Sequence, residues 1–172
     1  MIYEILPKKI YKAKVKNFEA VQSEIANVIK DCEWVYKHPA EWGLMTKLDK
    51  DHHPDKDVIS DNDMQNIANE IMDAVSVYNP DFELRGAKSW FVKYDTGDFA
   101  HVHNHAGGCN AISGVYFHKL GKEGHLFFMD KEDGDCMHIT AEEGELILFP
   151  STLLHGITRV EGEKLSLAFD LS

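Results

Sequence analysis

The apolar positions divide the chain into a helical front and a strand-rich back. Between Ile2 and Val15 the apolar residues Ile10, Tyr11, Ala13 and Val15 come in short alternating segments, which predicts a strand. Asn17 stands at a cap position before a helix running to about Cys32, with Phe18, Val21, Ile25, Val28 and Ile29 at helical spacing. Residues 36–60 are rich in Lys, Asp, His and Pro, show no period, and read as a long polar connection of the kind that borders a substrate site. A second helix opens at Ser60 or Asp61 and runs to about Tyr78, with a stripe of Met64, Ile67, Ile71 and Val75.

From Phe82 onward the period changes to short strands broken by Gly and Asp turns. Candidate strands cover 83–95, 99–105, 111–119, 124–129, 136–140, 144–149, 153–159 and 163–170. Strands this short and closely spaced predict a sandwich, jelly roll or barrel. No repeat or low-complexity tract is present, so residues 1–172 read as one domain: a helical support with its polar connection over 1–81, and a β core over 82–172.

Composition narrows the partners. The chain has 18 basic and 29 acidic side chains, a net charge of -11, which repels a phosphate backbone and makes nucleic acid an unexpected partner. No run of 18 apolar residues occurs, so no membrane span is expected. Met1 to Lys9 lacks the apolar stretch of a secretory signal. Cys32, Cys109 and Cys136 are odd in number and lack CxxC spacing; they read as free thiols in a reducing cytoplasm.

Ten histidines are many for 172 residues, and their placement is informative. In the segment from Tyr94 to His105, the residues His101, His103 and His105 alternate, and in a regular strand they share one face. Two imidazoles on one face can grip a transition metal. His155 is the candidate for a further ligand, because it follows the apolar run Leu146 to Phe149 and Pro150 about fifty residues downstream. Two neighbouring ligands and one distant ligand leave a face of the ion open, as a catalytic site requires. Alternating histidines also arise by chance on exposed strands, and His38, His52, His53 and His118 read as surface or loop residues.

Several motifs around these histidines, taken in order, resemble the Fe(II)/2-oxoglutarate-dependent oxygenase superfamily. The nearest likeness is to a small bacterial and phage group with HxH followed by FPSxxxH. In Tyr94-x-x-Gly97 the glycine stands six residues before His103, Ser113-Gly-Val-Tyr-Phe117 matches the next strand, and Gly144 to Ser151 followed by His155 matches the distal-ligand strand. The resemblance implies a double-stranded β-helix (a jelly roll, cupin-like) with N-terminal helices. It implies a metal site of His103, His105 and His155 for Fe(II). Lys164 and Ser166 stand where the superfamily has Arg-x-Ser for 2-oxoglutarate, with Tyr94 and Tyr116 as further cosubstrate contacts. The implied reaction is hydroxylation of a small-molecule or peptidyl substrate.

Two departures matter. His105 occupies the usual carboxylate position, which makes the ligand set neutral, and Lys164 keeps the charge of Arg without its bidentate fork. In another register, His101-Val-His103-Asn resembles the HxDN of some prolyl hydroxylases and makes His101 the partner of His103. Trp90, Phe99, Phe117 and Phe149 are expected to pack in and around the barrel, and the Gly107-Gly108-Cys109 loop to shape its entrance. The competing readings are a cupin-like, His-ligated metal enzyme that uses no 2-oxoglutarate, and a non-catalytic β-barrel binding module.

Overall fold

A computed structural model describes residues 9–36, 46–105, 111–130 and 134–172. The elements in chain order are β1 (Tyr11–Lys14), α1 (Phe18–Ile29), β2 (Trp34–Tyr36), β3 (Lys47–Asp49), α2 (Val58–Asp61), α3 (Gln65–Tyr78), β4 (Ala87–Tyr94), β5 (Ala100–His103), β6 (Ile112–Lys119), β7 (Leu126–Met129), β8 (Cys136–Ile139), β9 (Glu145–Pro150), β10 (Leu154–Ile157) and β11 (Lys164–Leu171). They form a seven-stranded sheet in the order β1-β9-β6-β11-β4-β3-β2 and a four-stranded sheet in the order β5-β10-β7-β8. All of these pairings are antiparallel, and the two sheets make the double-stranded β-helix that the motif order implies.

The large sheet is apolar on both faces, and strand parity sorts its residues between two cores. On one face Phe91, Tyr116, Leu146, Leu148, Leu167 and Phe169 pack against Val21 and Ile25 of α1 and Ile67 and Ile71 of α3. On the other, Val92, Tyr94, Phe117, Ile147 and Phe149 meet Ala100, Leu126, Phe128 and Ile157 of the small sheet. Gly114 on β6 is required by the first core: a Cβ there would stand 2.2 Å from the Phe169 ring.

The helical front departs from its expected form in three places. The predicted second helix is two helices, because Asp63 takes a left-handed φ of 50° between α2 and α3. Asn17 stands at the start of α1, but its side chain makes no cap bond; Glu70 of α3 accepts the N–H groups of Lys16 and Asn17 instead. Glu24 of α1 returns the arrangement by accepting from the N–H groups of Asn66 and Ile67. Each helix start is thus satisfied by a carboxylate from the other helix. Third, the polar stretch 36–60 holds β3, which pairs with β2 and extends the large sheet, and α2 begins in it. Residues 37–45 of that stretch, and the 107–109 loop with Cys109, lie outside the described residues. No helix among the described residues is long and apolar enough to cross a membrane.

Candidate metal centre and cosubstrate cavity

β10 runs between β5 and β7, and its register places His155 opposite His103. His105 follows β5, where its main-chain N–H donates to the Ser151 carbonyl at 2.9 Å and ties this segment to the end of β9. One ring nitrogen from each of His103, His105 and His155 then lies within 4.8 Å of the others. The ring centroids are 4.4 Å apart for His103 and His155, 5.1 Å for His105 and His155, and 5.4 Å for His103 and His105.

The hydrogen bonds fix which nitrogen faces inward. His103 Nδ1 donates to the His101 carbonyl at 2.7 Å, and His155 Nδ1 donates to the Leu153 carbonyl at 2.9 Å. His105 Nδ1 donates to the Asp170 carboxylate, 2.7 Å from each oxygen. All three Nε2 lone pairs remain for an ion. Burial holds two of the rings neutral: it pushes the His155 pKa down to about 3 and lowers that of His103. Neutral imidazole is the form that binds a metal, so these two ligands need shed no proton near neutral pH.

His101 is not part of the group. Ile157 pairs with Ala100 while His155 pairs with His103, so β5 spends three steps where β10 spends two. Alternation fails across this bulge, and His101 and Val102 are both exposed. The His101 ring packs edge-on against Phe99, with centroids 4.7 Å apart.

A cavity of about 120 Å³ opens beside the three rings, lined by Val92, Leu126, Phe149 and Ile157 among apolar residues and by Tyr94 and Ser166 among polar ones. β11 contributes Ser166 and Ala168 to this lining, and Lys164 and Asp170 share their face of the strand, one toward each end. Ser166 Oγ is buried without a hydrogen-bond partner. Lys164 is only 1% exposed and stands opposite Tyr94 in the register of β11 and β4. Its Nζ donates to the Gly124 carbonyl at 2.8 Å, and burial lowers its pKa to about 8. Tyr94 is also buried, which raises the pKa of its hydroxyl.

Tyr116 does not join this set. Position 116 of β6 points to the helix-packed face, where its ring belongs to the first core; the cavity side of β6 carries Ser113, Val115 and Phe117. Of the aromatic residues expected around the barrel, Phe117 and Phe149 are core, and Trp90 lies at the cavity wall with its ring 5.7 Å from that of His105.

The sequence reading missed Asp170, Ser113 and Ser151, which surround the back of His105. Ser113 Oγ donates to Asp170 and lies 2.9 Å from Ser151 Oγ. The signal was present in β11, where the alternation that turns Lys164 and Ser166 inward also turns Asp170 inward, toward the opposite end.

No protein-family model and no curated protein matches the sequence. Solved structures do match. A prolyl-4-hydroxylase from Pseudomonas putida superposes with a TM-score of 0.67 at 17% identity, over 98% of this chain and 94% of that one. A prolyl hydroxylase from Trichoplax adhaerens, in complex with a hypoxia inducible factor peptide fragment, gives 0.71 at 12% identity, over 98% and 85%. HygX from Streptomyces hygroscopicus, with nickel, 2-oxoglutarate and hygromycin B bound, gives 0.67 at 11% identity, over 96% and 83%. The chain has the fold of these oxygenases. Among the described residues, the three histidines inside that fold are the cluster able to hold an ion.

Proposed function

We propose that this chain is an Fe(II)- and 2-oxoglutarate-dependent oxygenase that hydroxylates a small-molecule or peptidyl substrate. The observation that carries the reading is the pairing of a histidine cluster with two side chains on one face of β11, of which Ser166 lines the cavity beside the three rings. Three imidazoles offer Nε2 to a common point, and on β11 a buried lysine without a carboxylate partner among the described residues adjoins an unpaired buried hydroxyl. A buried cation and an orphaned hydroxyl are costly in an apolar interior unless an anion completes them. A dicarboxylate meets that need.

On this reading His103, His105 and His155 hold the metal, and Lys164 and Ser166 hold the far carboxylate of 2-oxoglutarate, with Tyr94 beside them. Bound Fe(II) and 2-oxoglutarate would supply the oxidative chemistry, with CO2 and succinate as coproducts and the two atoms of O2 divided between succinate and the substrate. The chain's own part is positioning and exclusion of water. Val92, Leu126, Phe149 and Ile157 make the wall around the reacting groups apolar, while Trp90, Thr46 and Leu48 supply the surfaces a substrate would meet at the cavity edge. The known ligands of the similar structures include a peptide fragment in one and hygromycin B in another, which supports both substrate classes equally.

The test is an anaerobic titration with Fe(II) followed by 2-oxoglutarate. The expected result is a weak visible charge-transfer band on adding 2-oxoglutarate, lost in His155→Ala and shifted to much higher 2-oxoglutarate concentration in Lys164→Met. Bound iron with no band at saturating 2-oxoglutarate removes the cosubstrate from the reading, and failure to bind iron removes the metal centre as well.

A further inference from the structure

The three histidines are not held alike. His103 and His155 give their Nδ1–H to main-chain carbonyls two residues earlier, whereas His105 gives its Nδ1–H to a carboxylate. That residue, Asp170, is itself held in place: Ser113 donates to it, and Ser151 stands behind Ser113. Its cross-strand neighbour Lys88 is paired elsewhere, with Nζ 2.8 Å from Asp55. Asp170 therefore directs its charge at His105 without a competing salt bridge to Lys88.

We infer that Asp170 is a positioning residue for the metal centre, which restores from behind His105 the negative charge that a histidine at position 105 removes from the ligand set. The inference rests on the metal-centre reading above. Three neutral imidazoles leave a divalent ion its full charge, whereas two imidazoles and a carboxylate halve it. Asp170 brings the local total back to that lower value from one residue further out. A carboxylate hydrogen-bonded to a ligating imidazole fixes the ring's tautomer and orientation, and makes Nε2 a stronger donor. Both effects fall on the one histidine that lies outside regular strand structure, where the ring most needs an external anchor.

The test is a Co(II) titration of the metal-free protein without 2-oxoglutarate, read by the ligand-field absorption of bound Co(II). Asp170→Asn keeps the shape and removes the charge, and is expected to weaken Co(II) binding 10- to 100-fold while leaving the melting temperature of the metal-free protein unchanged. The decisive arm repeats this substitution in a His105→Asp background, where position 105 supplies the charge directly. There Asp170→Asn is expected to leave affinity unchanged or to raise it. An equal loss in both backgrounds means that Asp170 serves only the fold, and overturns the inference. Wild-type affinity in Asp170→Asn overturns it too, while the metal centre stands; failure of the wild-type chain to bind Co(II) overturns the metal centre itself. Should Asp170→Asn fail to fold, Ser113→Ala decides: a several-fold loss of Co(II) affinity in a folded protein supports the inference, and unchanged affinity overturns it.

Discussion

The Lys164 ammonium stands 4.6 Å from the centre of the Phe117 ring, and among the described residues its hydrogen-bond acceptor is the Gly124 carbonyl. An aromatic face and a neutral carbonyl do not replace the hydration of a cation, and the lowered pKa of about 8 reflects that desolvation. Between about pH 8 and the ordinary lysine value of 10.5 the unfolded chain binds more protons at this position than the folded one. Stability without cosubstrate should therefore rise with pH across that window, by on the order of 3 kcal/mol. Lys164→Met should remove this rise. It should also leave the protein at least as stable at pH 7, despite the loss of the Gly124 bond, as measured by urea denaturation at a series of pH values.

The same residue sets the pH dependence of cosubstrate binding. A carboxylate binds the protonated amine, so 2-oxoglutarate affinity should be complete below pH 8 and weaken as pH rises through it. Calorimetric titration between pH 7 and 9.5 checks this, with a slope approaching tenfold per pH unit at the upper end. A flat profile would place the carboxylate away from Lys164.

The two candidate registers of the histidine motif separate cleanly by mutation. His101→Ala should retain bound iron, since the His101 ring lies against Phe99 on the exposed side. His103→Ala and His155→Ala should each lose more than about a hundredfold in affinity, beyond the effect typical of a residue behind a ligand. Metal analysis after anaerobic gel filtration distinguishes them.

The exchanged helix caps predict a stability effect far from the cavity. Glu24→Ala removes the acceptor for the N–H groups of Asn66 and Ile67 and should cost about 1–2 kcal/mol. Guanidinium denaturation should show this loss with iron affinity unaltered.

Gly114→Ala tests the close packing of the large sheet. The added methyl would meet both Phe169 and the Leu148 side chain, at 2.2 Å and 2.9 Å, so a cost of about 2–3 kcal/mol is expected in thermal or chemical unfolding.

Much of this arrangement was legible from periodicity. Each of the eight predicted strands after Phe82 corresponds to one observed strand, because those segments are long enough to alternate and are bounded by Gly or Asp turns. β2 and β3 were not legible, since three residues cannot display a period. The break at Asp63 was hidden because the apolar stripe continues across it from Met64 onward, with the turn fixed by backbone conformation. His103, His105 and His155 could be grouped from motif spacing, but the exclusion of His101 depended on a bulge, which a sequence of alternating histidines does not announce. Tyr116 shows a different limit. Alternation tells which residues of β6 share a face, and only the placement of α1 and α3 tells which face is the cavity. Asp170 was in plain view two steps beyond Ala168, but an acidic residue near the end of a strand reads as a solvated one until its partner is known.

The separation of the two apolar cores by one sheet has a consequence for how this scaffold tolerates change. Helix packing against Tyr116, Leu148, Leu167 and Phe169 anchors β6, β9 and β11 from behind, on the face opposite the cavity. Ser166 and Lys164 can thus persist as thermodynamically unfavourable neighbours in an apolar interior, because the backbone carrying them is secured elsewhere. The interior wall is accordingly free to diversify: residues there can be exchanged for new specificities while the strands beneath them keep their register.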